Sequence, residues 1–228
     1  MIVLVANEKG GVGKTSVAVN LAALAASDGV RTLLLDTDPN GSTTGWLATR
    51  GEVTPPPAEI FTLMLTTNAA RMVADQAGHY ELVIVDAGAA AWDTLLSVSR
   101  QADLVVVPVT PGQFEVDSTN RVFDSLRAMD VKHIRGKVPA YALLNQIPTN
   151  AKSKEESELR GFLANDCGIP VLTTVLRNRK AWRECSKAGL GIHEMPASQA
   201  DAKSAAEIRA LYVELAAIAA ADAQLTQE

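Results

Sequence analysis

The chain has 228 residues, of which 47% are hydrophobic, and its formal net charge is −5 at pH 7. This length fits one domain with a substantial core, and we expect a single domain over residues 1–228. The negative charge disfavours nucleic-acid binding by the surface as a whole, so such binding would need a local basic patch. No apolar run approaches the roughly 18 residues of a membrane-spanning helix. The first strand-like run already begins at Ile2, which leaves no room for a signal peptide, so we expect a soluble, cytoplasmic protein.

Apolar, strand-like runs alternate with helix-like segments along the chain. The strand-like runs lie at 2–6, 32–35, 82–85, 104–109, 138–144 and 171–175, and the helix-like segments at 15–26, 69–77, 93–100, 115–129, 154–164 and 204–221. Strands that consist almost entirely of Val, Ile and Leu are typical of a parallel sheet buried on both faces. We therefore expect an α/β fold with a mostly parallel, twisted sheet and helices on both faces, as in P-loop NTPases.

Residues 9–16 read KGGVGKTS and lie between the first strand-like run and the first helix-like segment. Strand, glycine-rich loop and helix is the context of a phosphate-binding loop, where backbone N–H groups and the helix dipole bind the phosphates. Lys14 would reach the β- and γ-phosphates, and the Thr15 hydroxyl would bind Mg²⁺. The predicted nucleotide-binding residues are Gly10, Gly11, Val12, Gly13, Lys14, Thr15 and Ser16.

This loop departs from the strict phosphate-loop pattern at two adjacent positions. The pattern has glycine at position 8, where this chain has Glu8, and Lys9 adds a second lysine. A dinucleotide-binding turn is disfavoured, because it would need G-x-G-x-x-G and an acidic residue for the ribose in place of the Lys-Thr pair. A glycine-rich turn without a ligand is also disfavoured by the Gly-Lys-Thr ending and by the flanking segments.

Acidic residues follow two of the strand-like runs, at the edge where open parallel sheets bind their ligands. Asp86 follows the run LVIV and is expected in a Mg²⁺ shell, with a helix N-cap or turn as the alternative. Asp36 and Asp38 follow the second run. One of these two could serve the metal or the loop while the other orients the attacking water, or Asp38 could only cap an Asp-Pro turn. The residue spacing alone leaves these alternatives open.

The segment VANEKGGVGKTSVAVNLAALAASDGVRTLLLDTDPNGSTTGW resembles the start of a ParA-type partition ATPase, of the deviant Walker A superfamily that also contains MinD. The resemblance continues through VIVDAG, DLVVVPVTPGQFEVDS, ALLNQI and PVLTTVLRNRKAWRECSKAGLGIHEM, so it covers most of the chain. The chain most resembles the short ParA proteins of plasmid partition systems, because no helix-turn-helix extension precedes its first strand.

The resemblance implies roles for both lysines of the loop. Lys9 corresponds to the signature lysine, which reaches across an ATP-bound dimer to the phosphates of the partner subunit. Lys14 and Thr15 correspond to the residues that bind phosphate and Mg²⁺. A second cation acting in trans would also stabilise the negative charge that grows on the γ-phosphoryl group. The alternative for Lys9 is an ordinary solvated lysine.

The resemblance also implies roles for three aspartates and one asparagine. Asp38 would orient the water, Asp36 and Asp86 would belong to the Mg²⁺ shell, and Asn145 would contact adenine. With Lys9 and Lys14, Asp38 completes the expected catalytic set. Many relatives have two prolines after the Asp86 position, whereas this chain continues Ala-Gly-Ala, so the family pattern gives no expectation for this loop.

Residues 177–187 read RNRKAWRECSK and carry five basic side chains against one acidic side chain. ParA relatives bind nonspecific DNA as ATP-bound dimers, through basic residues in this general region. Contacts to DNA phosphates need no base recognition, so we expect DNA binding through Arg177, Arg179, Lys180 and Arg183. The alternative is a solvated helix face that Trp182 anchors to the core.

The expected function is an ATPase that dimerises with ATP, binds DNA nonspecifically and positions a plasmid, a chromosome region or a protein assembly. A ParB-like or other cargo adaptor protein would stimulate hydrolysis. A MinD-like membrane cycler would end in a basic amphipathic helix, whereas this chain ends AIAAADAQLTQE, so we expect no membrane partner. A metal-cluster ATPase would carry a CxxC motif, which is absent. A nucleotide-binding switch without catalysis stays open.

Overall fold

The structure, a computed structural model, describes residues 1–38, 41–65, 67–88, 92–129, 133, 136–150 and 154–225. Seven strands form one sheet: β1 Ile2–Val5, β2 Thr32–Asp36, β3 Phe61–Met64, β4 Leu82–Asp86, β5 Leu104–Val109, β6 Ala140–Ile147 and β7 Val171–Arg177. Their order across the sheet is β3-β2-β4-β1-β5-β6-β7, and every neighbouring pair is parallel. The predicted sheet is therefore confirmed and is parallel throughout.

Helices cover both faces of the sheet. The described α-helices are α1 Lys14–Ser27, α2 Ser42–Gly51, α3 Ala69–Ala77, α4 Trp92–Ser99, α5 Gln113–Ala128, α6 Glu155–Gly161, α7 Lys180–Lys187 and α8 Ala202–Leu225. Side chains alternate between the two faces along β1: Leu4 packs with residues of α3 to α6, whereas Val3 and Val5 pack with residues of α1, α2, α7 and α8. The P-loop NTPase-like α/β fold is thus confirmed.

Helix α2 and strand β3 were not predicted, and α7 appeared only in the alternative interpretation of the basic segment. Helix α2 is short and rich in Thr and Gly, so its sequence has little helical character. Strand β3 has only four residues and lies at the edge of the sheet, where all four are exposed. The predicted helix at 154–164 is also different, because α6 continues as a π-helical turn at Phe162–Asp166. None of the described helices combines the length and apolar character needed to cross a membrane.

The register of the sheet brings the predicted site together. Asp86 ends β4 and lies beside Val5, the last residue of β1, and beside Asp36, the last residue of β2. The phosphate loop leaves β1 at the same edge. Because these strands are parallel and adjacent, the loop and both carboxylates meet at the carboxyl ends of the central strands.

Candidate nucleotide-binding site

The loop between β1 and α1 has the backbone conformation that a phosphate cradle needs. Gly11 and Gly13 have φ angles of 80° and 90°, in the left-handed region that favours glycine. A Cβ atom on Gly13 would lie 2.4 Å from the Nδ2 atom of Asn145, so the approach of β6 also requires glycine there. Helix α1 begins directly after Gly13 and has no acidic residue in its first turn. Its positive end is therefore available to an anion.

Two amide side chains from β6 hold the carbonyl groups of this loop. Asn145 Nδ2 donates a hydrogen bond to the Val12 oxygen at 2.7 Å, and Gln146 Nε2 donates one to the Gly11 oxygen at 2.9 Å. These bonds fix the orientation of the peptide groups that a phosphate would meet. Gln146 was not among the predicted site residues. The adenine contact of Asn145 stays a prediction, since its Nδ2 atom is engaged with the loop.

Lys14 lies inside the loop with only 8% of its surface exposed. Its Nζ atom donates a hydrogen bond to the carbonyl oxygen of Lys9 at 2.7 Å. Burial lowers the pKa of the Lys14 ammonium from its ordinary value, although the nearby charges of Asp86 and Asp38 act to raise it. The predicted phosphate lysine therefore lies close to two of the predicted carboxylates.

Asp86 is 1% exposed and is contacted by two hydroxyl groups. Its Oδ2 atom accepts hydrogen bonds from Thr15 Oγ1 at 2.7 Å and from Thr43 Oγ1 at 2.8 Å. Its Oδ1 atom is buried and has no hydrogen-bond partner among the residues that the structure describes. Burial raises the pKa of Asp86 to about 6, against the effect of both hydroxyl bonds. Among the described residues, the Asp86 carboxylate accepts its hydrogen bonds from these two hydroxyls and not from a backbone N–H, as the helix N-cap alternative would require.

A hydrogen bond connects the backbone of Asp38 to the side chain of Asp36. The Asp38 N–H donates a hydrogen bond to Asp36 Oδ1 at 2.9 Å, and Thr44 Oγ1 lies 3.5 Å from Asp36 Oδ2. Burial raises the pKa of Asp36. Asp38 itself is half-buried, and a Cβ atom on Gly88 would lie only 2.9 Å from its Cα atom. Pro39 of the DxDP motif and Ala89 lie outside the described residues.

The oxygen atoms at this edge fit a magnesium ion. Thr15 and Asp86 are in direct contact, and the charge of Asp36 acts on Asp86. The Oδ1 atom of Asp86, which has no hydrogen-bond partner among the described residues, offers a buried anionic oxygen. This is the kind of ligand that Mg²⁺ prefers. No group of three or more His, Cys, Asp or Glu side chains suited to a metal occurs within the described ranges. Mg²⁺ does not require one, because it is typically held by one or two carboxylates together with water and substrate phosphates.

Lys9 is partly exposed at the start of the phosphate loop. Its N–H donates a hydrogen bond to Asn7 Oδ1 at 3.0 Å, and Asn7 Nδ2 donates one to the Pro108 oxygen at 2.9 Å. Lys9 lines an open cavity of about 400 Å³ together with Gly10, Pro111 and other residues. The surroundings of Lys9 therefore differ from those of Lys14, which is buried inside the loop.

A second cavity of about 400 Å³ lies beside the phosphate loop. Its lining includes residues predicted to bind the nucleotide and residues predicted to contact DNA: Gly13, Ser16, Asn145, Arg177, Arg179 and Arg183. The structure therefore brings the first part of the basic segment next to the nucleotide site, which residue spacing did not reveal.

The four predicted DNA-binding residues have different surroundings. Arg177 forms an ion pair with Glu156, and Arg179 forms one with Glu207 at 2.6 Å; both arginines are partly buried. Lys180 pairs with Glu184 within α7, but its side chain is 79% exposed, and Arg183 is exposed. The positive charge available to a DNA phosphate therefore comes mainly from the helix. DNA contact by all four residues stays a prediction.

Trp182 anchors α7, as the alternative interpretation of this segment expected. Its ring packs against the core, and its Nε1 atom donates a hydrogen bond to the Arg177 oxygen at 2.9 Å. This anchoring is compatible with either interpretation, because Lys180 and Arg183 still reach solvent from the same helix.

The CobQ/CobB/MinD/ParA nucleotide-binding domain matches residues 3–192, which is more than half of the chain. The chain belongs to this nucleotide-binding family. Within it, protein ParA of Rhizobium radiobacter is 28% identical over 208 residues, which are 90% of this chain and 91% of the relative. Maintenance of carboxysome distribution protein A of Gloeobacter kilaueensis is 33% identical over 195 residues, which are 84% of this chain and 83% of the relative.

Among solved structures, the chain is similar to McdA of Cyanothece. Its apo form has a TM-score of 0.73 at 12% identity and covers 95% of this chain and 98% of its own. The ATP complex of a McdA variant has a TM-score of 0.67 at 14% identity and covers 92% of this chain and 95% of its own. At these identities the similarity concerns the fold, which is that of the ParA/MinD-type ATPases.

Proposed function

We propose that this single-domain protein is a Mg²⁺-dependent ATPase. The observation that carries the proposal is the convergence of the phosphate loop with Asp86, whose Oδ1 atom is buried without a partner in the described structure. Thr15, which donates a hydrogen bond to Asp86, would bind the metal together with Asp36 and Asp86. When bound, Mg²⁺ would neutralise charge on the β- and γ-phosphates. The ATP complex of the McdA variant is a family example of the same ligand.

Within this site, Lys14 and Asp38 would perform different tasks. Lys14 would exchange its hydrogen bond to the Lys9 carbonyl for one to a phosphate oxygen. Asp38 would orient the attacking water, since its carboxylate is near Lys14 and is held half-buried against Gly88. Phosphoryl transfer depends mainly on such positioning and on charge stabilisation. We expect Asp38→Ala to keep ATP affinity while hydrolysis falls by about 100-fold.

The proposal continues with an ATP-dependent homodimer that binds DNA nonspecifically. Lys9 would contact the partner subunit's nucleotide, because it is partly exposed and lines an open cavity at the start of the phosphate loop. Lys180 and Arg183 would contact DNA phosphates in the dimer. A cargo adaptor, ParB-like or of another kind, would stimulate hydrolysis and so release the ATPase from the nucleoid in the cytoplasm. The relatives named ParA and maintenance of carboxysome distribution protein A support partition or positioning of a cargo.

Nucleotide titration tests the first part of this proposal. The wild-type protein should bind ATP in the presence of Mg²⁺, and Lys14→Ala should lose this binding while its thermal unfolding stays cooperative. DNA binding should then be compared in ATP, ADP and no nucleotide, with ATP giving the tightest binding. Equal DNA affinity in all three states would contradict the ATP-dependent dimer, and unchanged ATP affinity of Lys14→Ala would contradict the nucleotide site.

A further inference from the structure

Two hydroxyl groups reach the same oxygen of Asp86, and they come from different parts of the chain. Thr15 belongs to the start of α1, and Thr43 belongs to the first turn of α2. Thr15 has a role in the proposed site as a metal ligand. Thr43 has no role there, although it is 0% exposed and its Oγ1 atom lies 2.8 Å from Asp86 Oδ2.

The two bonds act on one side of the carboxylate only. Both hydroxyls donate to Oδ2, whereas Oδ1 is buried without a partner in the described part of the chain. A carboxylate held at one oxygen cannot rotate freely about its Cβ–Cγ bond, so its other oxygen keeps one direction. Groups of this kind, which orient a metal ligand without touching the metal, strongly affect metal affinity.

Thr43 can keep this role while a ligand is bound. The Thr15 oxygen is expected to coordinate the metal. Its position, and therefore its hydrogen bond to Asp86, would then depend on where the metal binds. Thr43 has no such competing task. Burial adds to its effect, because a buried carboxylate that loses a hydroxyl donor has no water to replace it.

Helix α2 is also held at its other end, which keeps Thr43 in place. Arg50 donates hydrogen bonds to both carboxylate oxygens of Glu194, at 2.7 and 2.8 Å, and to the carbonyl oxygens of Gly189 and Ala58. The guanidinium also lies 5.0 Å from the ring centroid of Trp46. The hydroxyl therefore belongs to a helix whose C-terminal end is fixed by contacts that do not involve Thr43.

We infer that Thr43 is a positioning residue for the metal site. It holds Asp86 Oδ2 so that Oδ1 faces the cation. The inference rests on the proposed binding of Mg²⁺ and ATP, and it adds a residue to which the sequence assigned no role. The nearest signal in the sequence is the pair of threonines shortly after the DxDP motif.

The test compares ATP binding with Mg²⁺ and with EDTA. Thr43→Val removes the hydroxyl but keeps the shape of the side chain, Thr43→Ser keeps the hydroxyl, and Thr49→Val is the matched control. Thr49 lies on the same helix, and its hydroxyl donates to the Gly45 carbonyl of that helix. We expect the affinity gained from Mg²⁺ to fall about tenfold in Thr43→Val. Affinity in EDTA should stay at the wild-type value, and Thr43→Ser and Thr49→Val should both resemble the wild type.

Other outcomes separate the inference from the proposed function. If the wild type binds no ATP, or gains nothing from Mg²⁺, the proposed function fails and the inference fails with it. If the wild type responds to Mg²⁺ and Thr43→Val responds equally, only the inference fails. A loss of equal size with and without Mg²⁺ would mean a structural role and would also overturn the inference. Thr43→Ala replaces the valine variant if that variant does not unfold cooperatively.

Discussion

The ammonium group of Lys14 donates a hydrogen bond to the backbone carbonyl oxygen of Lys9 at 2.7 Å. The bond uses no side-chain atom of Lys9, so a substitution at position 9 leaves it intact. This bond, which holds the Lys14 ammonium within the loop, is therefore independent of the Lys9 side chain. This independence allows nucleotide binding and dimerisation to be separated experimentally.

Lys9→Ala should bind ATP with wild-type affinity but fail to form the ATP-dependent dimer, because the cation that acts across the interface is removed. DNA binding should fall as well, since two basic patches held together gain from effective concentration. Light scattering and DNA binding on the same sample in ATP provide the measurement. A variant that dimerises and binds DNA normally would show that Lys9 is a solvated lysine.

Asp86→Asn should unfold at a higher denaturant concentration than the wild type at pH 7 in EDTA. Burial raises the pKa of Asp86 from 3.8 to about 6. The folded protein at pH 7 therefore carries a buried negative charge that costs free energy, and the neutral Asn side chain avoids this cost. A shift of this size limits the gain in unfolding free energy at neutral pH to about 3 kcal/mol.

Because burial raises the pKa of Asp86, the stability advantage of Asp86→Asn should depend on pH. A carboxyl whose folded pKa is raised contributes stability below its unfolded pKa and loses that contribution as the pH rises through its folded pKa. The advantage of Asp86→Asn should thus be largest above pH 6 and should shrink toward pH 4. Urea unfolding between pH 4.5 and 7.5 checks this. An advantage that does not vary with pH would assign the effect to packing instead.

Breaking the buried pair between Arg50 and Glu194 should destabilise the fold. Both side chains are largely buried, and removing one partner leaves a charge that water cannot reach. Arg50→Met or Glu194→Gln should each cost about 3 kcal/mol of unfolding free energy, and the double variant should cost less than their sum. The exposed pair of Arg71 and Asp75 supplies the control, where Arg71→Ala should change stability by less than about 0.5 kcal/mol. Equal costs at the two sites would contradict the burial argument.

The basic residues in and just before α7 should have two distinct roles, one in DNA binding and one in stability. Lys180→Ala with Arg183→Ala should weaken ATP-dependent DNA binding and lower the slope of log affinity against log salt by about two, without loss of stability. Arg179→Ala should instead reduce stability, because it removes an ion pair to Glu207 on α8. Fluorescence anisotropy across a salt series and thermal unfolding distinguish the two. An unchanged salt slope in the double variant would place the DNA interface elsewhere.

The sequence predicted the parts of the fold in which local pattern and tertiary structure agree. Apolar strands such as β1 and β4 can be predicted from the sequence, because both of their faces are buried and they consist almost entirely of apolar residues. The loop residues and Asp86 can be predicted as well, because they directly follow strands whose carboxyl ends lie at the same edge of the sheet. Helix α2 was missed, since its residues have weak helical preference and long-range contacts such as those of Arg50 stabilise it.

The surroundings of individual side chains were harder to predict. Thr43 and Asp86 are far apart along the chain, and nothing in either sequence segment indicates that they touch. The same holds for Arg179, whose charge looks available in the sequence but is paired with Glu207 on a distant helix. Charge counts describe composition, whereas accessibility depends on contacts between segments that only the fold brings together.

The close approach of Gly88 to Asp38 limits how this protein can change over evolution. The nearest atom to an added Cβ at position 88 is a backbone Cα atom, 2.9 Å away, which cannot move aside by a change of rotamer. No second substitution of the Asp38 side chain can therefore restore the space. Variation at position 88 should require a shift of the whole loop after β2, and hence of the carboxylate that the reaction needs. We expect a saturation library to tolerate position 88 poorly, with rare survivors that carry insertions or deletions in a flanking loop.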